Sequence, residues 1–241
     1  MTAQLNEKEE WLRIRQIVKG SAEINDEWKL AFNLFEKRIK DRYFKPIKYI
    51  IEQGEKIGEG FAIVSLQCSL IETFASFRGG KISEELAKNY FEEPYTRYSD
   101  FYYDNVGIHY SNFLTSANIF NDIFYSLQDG NPRPLRATNF AISFYQDVRC
   151  ALLHDCMTRN GWIINTIPEK KSDGVMFIER KEGKKYIYRT LFQNALERYL
   201  TSYLNELTEE TRAGQKMRKK FARRYDFTHE IKHDNAIWWE I

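Results

Sequence analysis

Apolar residues recur at helical spacing through most of this chain, and the spacing turns strand-like only between Trp162 and Tyr188. A 3.6-residue period gives each helix one stripe to bury, so the pattern restricts the chain to a mainly α fold with a small β insertion. Between Asp26 and Tyr43, Leu30, Phe32, Leu34, Phe35 and Ile39 fall around helical turns, and Pro46 breaks or kinks the continuation through Ile50 and Ile51. Phe61 to Phe77 predicts a nearly all-apolar helix ended by Arg78-Gly79-Gly80 as a glycine cap. A short helix and then irregular chain are expected over 83–104, interrupted at Pro94, followed by one long helix from Tyr110 to Leu127 and a turn over 128–134. The next helix, capped by Thr138 or Asn139, runs to about Arg159, where Asn160-Gly161 stops it. Trp162–Thr166, Val175–Ile178 and Tyr186–Tyr188 predict short strands, with Glu182-Gly183 as the hairpin turn between the last two. Helix returns over 190–207 and again from about Glu209 to Arg224.

With 241 residues and 43% hydrophobic content, the simplest division is a single domain over 1–241. It carries the β insertion at about 161–189 and a basic C-terminal helix and tail at 209–241. No run approaches eighteen consecutive apolar residues, and the first ten residues are polar and acidic where a signal peptide is basic and then apolar. These features predict a soluble, cytoplasmic protein with no membrane partner. The three cysteines, Cys68, Cys150 and Cys156, cannot all pair within one chain and sit in apolar stretches, as reduced thiols do, without metal-ligand spacing.

One polar pair stands out against this background. Phe144-Tyr-Gln-Asp-Val-Arg-Cys-Ala-Leu-Leu-His-Asp-Cys156 sets Arg149 and His154 five residues apart in an apolar segment that carries few other charges. On an ideal helix that spacing turns the side chains about 140° apart, so one helix alone builds an awkward site, and two copies meeting across a twofold axis build a better one. Glu72, the only charged residue between Phe61 and Phe77, is expected to be nearly buried and therefore paired, with Arg149 a candidate partner; a wet groove is the alternative.

Over roughly residues 140–162 the segment resembles the R-x4-6-H signature of the HEPN superfamily. The resemblance implies an antiparallel helical bundle, a homodimer with a composite cleft, and a metal-independent endoribonuclease that needs no cofactor. Arg149 and His154 would be catalytic, with Glu72 and Cys150 supporting. The imidazole would move a proton to or from the ribose 2′-hydroxyl or the 5′-oxygen, and the guanidinium would stabilise charge building on the phosphate. DNA lacks the 2′-hydroxyl, so the chemistry selects RNA. Toxin–antitoxin, abortive-infection and CRISPR systems use such enzymes, which makes a protein antitoxin a possible partner in defence or stress response. Active members often carry a polar residue directly after the arginine, where this chain has Cys150. That departure keeps a second reading open: a non-catalytic HEPN-like module binding RNA, nucleotide or a protein.

Other patterns carry less. Residues 216–224 hold six cations within nine positions despite a formal net charge of only +2. Arg159, Lys219, Lys220 and Arg223 are candidate nucleic-acid contacts, with a solvated helix face as the plain alternative. His229-Glu-Ile-Lys-His233 matches a zinc-protease pattern literally, but Lys232 places a cation beside the supposed metal. Ile57-Gly-Glu-Gly-Phe-Ala-Ile-Val64 lacks the third glycine and the partner motifs of a kinase. The aromatic stretch from Tyr95 to Tyr110 suits core or interface packing better than base stacking, and Trp238-Trp239 suits anchoring of the C-terminus.

Overall fold

The computed structural model describes residues 3–54, 58–80, 105–127, 139–166 and 176–241. They are mainly helical, with one small three-stranded sheet. The helix expected within 83–104, the turn at 128–134, Thr138, Val175 and most of the Tyr95–Tyr110 aromatics lie outside the described residues. Contacts along the chain fall into two compact units.

The first unit gathers Met1–Arg42, Ser76–Ser83 and Leu200–Ile241. Helix α1 (Ala3–Val18) packs on α2 (Asp26–Ile39). Asn25 starts α2 by accepting from the Trp28 amide, and Asp26 and Glu27 favour the positive end of its dipole. Trp11, Trp28, Phe35, Phe221, Tyr225 and Trp239 are fully buried together. Asp226 sits among them, accepting from both Trp11 and Trp239 Nε1 at 2.8 and 2.9 Å and from Arg15 Nε at 3.0 Å. A carboxylate this enclosed is tolerated because donors surround it. The tail thus anchors by aromatic burial, as Trp238-Trp239 implied.

The second unit holds Tyr43–Ala75 and Glu84–Tyr199. A π-helical turn at Lys40–Phe44 leads into α3 (Lys45–Gln53), and Pro46 occupies the first turn of α3, where its missing N–H is not needed. The irregularity expected at Pro46 takes this form. Helix α4 (Glu59–Gly79) buries Ile63, Val64, Leu70, Ile71 and Phe74. By length and composition α4 could cross a membrane, but 56% of its apolar window is buried within the protein, and core helices pass the same test. The long helix expected from Tyr110 to Leu127 is two, α5 (Asn105–Ser116) and α6 (Phe120–Ser126), separated at Ile119, whose φ of 79° no helix accommodates. Both halves bury their apolar faces, Phe113 and Leu114 on one side of the break and Phe120 and Phe124 on the other, which is why the period hid it.

Strands β1 (Trp162–Asn165), β2 (Ile178–Lys181) and β3 (Lys184–Tyr188) form a sheet in the order β1-β3-β2. β1 runs parallel to β3, and β2 pairs antiparallel with it through the expected Glu182-Gly183 turn, both of whose residues have positive φ as a type I′ turn requires. β2 begins only at Ile178, later than the Val175–Ile178 run suggested. The sheet buries Trp162, Ile178 and Ile187, and Phe177 stacks flat on Phe192 with centroids 4.3 Å apart. Helix α9 (Arg189–Thr208) follows the sheet, and α10 (Arg212–Thr228) lies in the first unit.

Candidate active site

The helix that carries Arg149 and His154 is not one regular helix. It consists of α7 (Asn139–Phe144), a π-helical turn at Tyr145–Cys150, and α8 (Ala151–Asp155), where Cys156 ends it in the left-handed conformation at φ 55°. The Ala151 amide reaches back to the Gln146 carbonyl, the i to i+5 bond of a widened turn. The ideal 3.6-residue phase therefore does not hold across Arg149, and the 140° separation derived from it is superseded. The helix also ends at Cys156, short of the Asn160-Gly161 stop.

Arg149 Nη2 donates to Glu72 Oε2 at 2.7 Å, so the pairing suggested by the sequence is formed. The near-complete burial expected for Glu72 is not: its side chain is 36% exposed and that of Arg149 20%. Ser65, Ser69, Glu72 and Thr73 follow helical spacing on α4, with Ser69 Oγ bonded to the Ser65 carbonyl and Thr73 Oγ1 to that of Ser69. This hydroxyl stripe marks an open face, a signal that counting charges alone misses. The Tyr145 ring lies 5.5 Å below the guanidinium carbon and packs in turn on buried Tyr110, whose ring centroid is 5.1 Å away. Burial opposes the charge on Arg149, but the charge and hydrogen bond of Glu72 outweigh it and hold the guanidinium above its ordinary pKa. Cys150 Sγ is a long 3.8 Å from Arg149 Nη1. Burial pushes the neighbouring Cys68 thiol up to about 12, which keeps it neutral.

His154 is exposed on α8, and among the described residues its ring makes no hydrogen bond or ion pair. No hydrogen bond joins it to Arg149, whose contacts are with Glu72, Cys150 and Tyr145. One chain thus presents an anchored guanidinium and an open imidazole without closing them into a pair. Arg159 is exposed and paired with Asp155 at 2.5 Å.

A polar cluster behind the motif has no counterpart in the sequence expectations. Asp147, 9% exposed, accepts from Ser143 Oγ at 2.7 Å and from Asn160 Nδ2 at 2.8 Å, and its carbonyl accepts from the Arg159 amide at 2.9 Å. Ser143 Oγ also receives Trp162 Nε1 at 3.1 Å and Lys185 Nζ at 3.3 Å. Partial burial lowers the pKa of Lys185 while Asp147 opposes that shift. The i, i+4 spacing of Ser143 and Asp147 on a buried face was the available clue.

The basic run on α10 holds its own unit together. Arg218 is 1% exposed and donates to the carbonyls of Ala22, Leu207 and Glu209. Lys219 Nζ bonds the Ile241 carbonyl, Arg223 pairs with Glu240 at 3.0 Å, and Lys220 lies against Gly80. These contacts make much of the charge run structural. The zinc-protease match fails on backbone grounds, since α10 ends at Thr228 and Glu230 has φ 58°, so His229 and His233 do not share a helical face. His229 is buried and faces Arg38 Nη2 at 2.9 Å, while His233 is exposed beside Glu240. Among the described residues no cluster suits a metal ion. Gly58, at φ 81°, separates α3 from α4 as a turn residue.

No family model, no curated protein and no solved structure matches the chain.

Proposed function

We propose that the chain is a HEPN-like, metal-independent endoribonuclease that works as a homodimer in a cytoplasmic defence or stress response. The observation that carries this reading is Arg149 held by Glu72 on the open face of α4, with exposed His154 on the same helical segment. A guanidinium fixed by a carboxylate keeps further N–H donors for a phosphate, and an imidazole without a hydrogen bond among the described residues is placed to take the 2′-hydroxyl proton or to protonate the leaving 5′-oxygen. In a twofold dimer each Arg149 needs an imidazole near the same phosphate, and His154 of the second copy supplies it. Exposed Arg159 adds a cation next to the motif, whereas Lys219 and Arg223 act first on the tail. A protein antitoxin would act by covering the His154 face.

The test is to incubate purified protein with mixed RNA in EDTA and to compare Arg149→Ala and His154→Ala with the unaltered chain. Cleavage lost in both variants supports the reading, and cleavage that survives both removes it. Mixing the two variants extends the test: a heterodimer regains one intact composite cleft, so activity returns toward a fraction of the original. Cys150 beside Arg149 is the observation that favours the second reading, a non-catalytic module, because a thiol is a weak hydrogen-bond partner. RNA retention without cleavage in every dimeric preparation establishes that alternative.

A further inference from the structure

We infer that Asp147 is a positioning residue for His154, acting through the chain that leaves the motif helix. The inference rests on the reading of His154 as the acid–base group. Helix α8 (Ala151–Asp155) is the last turn of the continuous helical segment that begins at Asn139, and the His154 ring has no hydrogen bond or ion pair among the described residues. Its direction is therefore set by the backbone on either side. On one side lies the π-helical turn that contains Asp147. On the other, Cys156 at φ 55°, Asn160 at φ 49° and Gly161 at φ 77° reverse the chain into β1. Non-glycine residues persist in that conformation only where surrounding contacts over-determine them.

Asp147 supplies those contacts from both ends. Its Oδ1 takes Asn160 Nδ2 at 2.8 Å, and its carbonyl takes the Arg159 amide at 2.9 Å, which folds the return segment back onto the helix. Its Oδ2 takes Ser143 Oγ at 2.7 Å, and Ser143 in turn receives Trp162 Nε1 from β1 and Lys185 Nζ from β3. Thr158 Oγ1 to the Trp162 carbonyl, at 2.7 Å, and the Asp155–Arg159 pair close the same loop. One buried carboxylate thus ties the turn before His154, the loop after it and two strands of the sheet into a single frame. It acts by accepting hydrogen bonds, since both oxygens are occupied by protein donors.

Asp147→Asn and Asp147→Ala separate this role from carboxylate chemistry. Asparagine still accepts from Ser143 and can donate to Asn160 once the Asn160 amide turns over, whereas alanine loses both links. Asn160→Ala removes one link from outside the helix and guards against misfolding of the Asp147→Ala protein. With ¹³C-histidine labelling, the His154 ring resonance, assigned by its absence in His154→Ala, is followed alongside cleavage. Asp147→Ala and Asn160→Ala should shift or broaden that resonance and lower kcat, by up to about 10²-fold for Asp147→Ala, with KM changed less than about twofold. Asp147→Asn should keep the resonance in place and retain roughly a third or more of kcat. A resonance unmoved in Asp147→Ala, or an Asp147→Asn protein as impaired as Asp147→Ala, overturns the inference. If the unaltered protein does not cleave RNA, the enzymatic reading fails, and the resonance still decides whether Asp147 positions His154.

Discussion

Glu72 and Arg149 meet at the edge of solvent, so their attraction adds only about 1 kcal/mol or less to stability. Their value is directional: the carboxylate and the Tyr145 ring fix a side chain that otherwise samples many rotamers. Glu72→Gln should therefore lower RNA cleavage by about tenfold while shifting the denaturant midpoint little, which kinetics and a urea titration check together. His229 behaves in the opposite way. Burial and the charge of Arg38 lower its pKa from 6.5 to about 4, with Glu7 opposing. Between those values the unfolded chain binds more protons than the folded one, so stability rises with pH across this window and is lost as pH falls from 6.5 towards 4. The loss is about 3 kcal/mol at most, at about 1.4 kcal/mol per unit. Unfolding curves of the unaltered chain and His229→Gln at pH 7 and pH 4.5 check this; the difference between the two proteins should shift in favour of the variant at the lower pH. An unchanged difference would mean that His229 is not held neutral.

Helix existence was legible because burial imposes the 3.6-residue period whatever the backbone detail. The details that shape the site were not. A π-helical turn inserts its extra residue without disturbing which side chains are apolar, so Phe144, Tyr145 and Val148 are buried through this stretch and nothing in the pattern signals the widening. Ile119 likewise splits α5 from α6 where the sequence reads as continuous. The Glu182-Gly183 turn and the glycine end of α4 were readable, since positive φ has a residue signature. Gly80 shows how strict that signature is: its φ is 65°, and a Cβ there would sit 2.9 Å from the Lys220 Cα. Gly80→Ala should cost about 1–3 kcal/mol, measured as a fall in melting temperature, because strained φ and a backbone clash add. The Arg149–Glu72 pair was also foreseeable, whereas the Asp147–Asn160 link was not, because Asn160 belongs to a loop whose path depends on the sheet.

At the scale of the whole molecule, the first unit is assembled from three segments distant in sequence, Met1–Arg42, Ser76–Ser83 and Leu200–Ile241. Its core depends on the tail, because Trp239 meets Trp11 and Trp28 and donates to Asp226. Trp239→Ala should cost about 3–5 kcal/mol, seen in thermal unfolding, since it leaves both a cavity and a buried carboxylate short of a donor. The second unit carries Arg149, Glu72, His154 and Asp147 together, so the proposed chemistry belongs to that unit and to the dimer proposed for it. The most direct measurement is the end-group analysis of RNA fragments formed in EDTA by the unaltered protein and by His154→Ala. Transesterification through His154 gives 2′,3′-cyclic phosphate and 5′-hydroxyl ends from the first and no fragments from the second. Fragments ending in 3′-hydroxyl and 5′-phosphate, or the same fragments from His154→Ala, would contradict it.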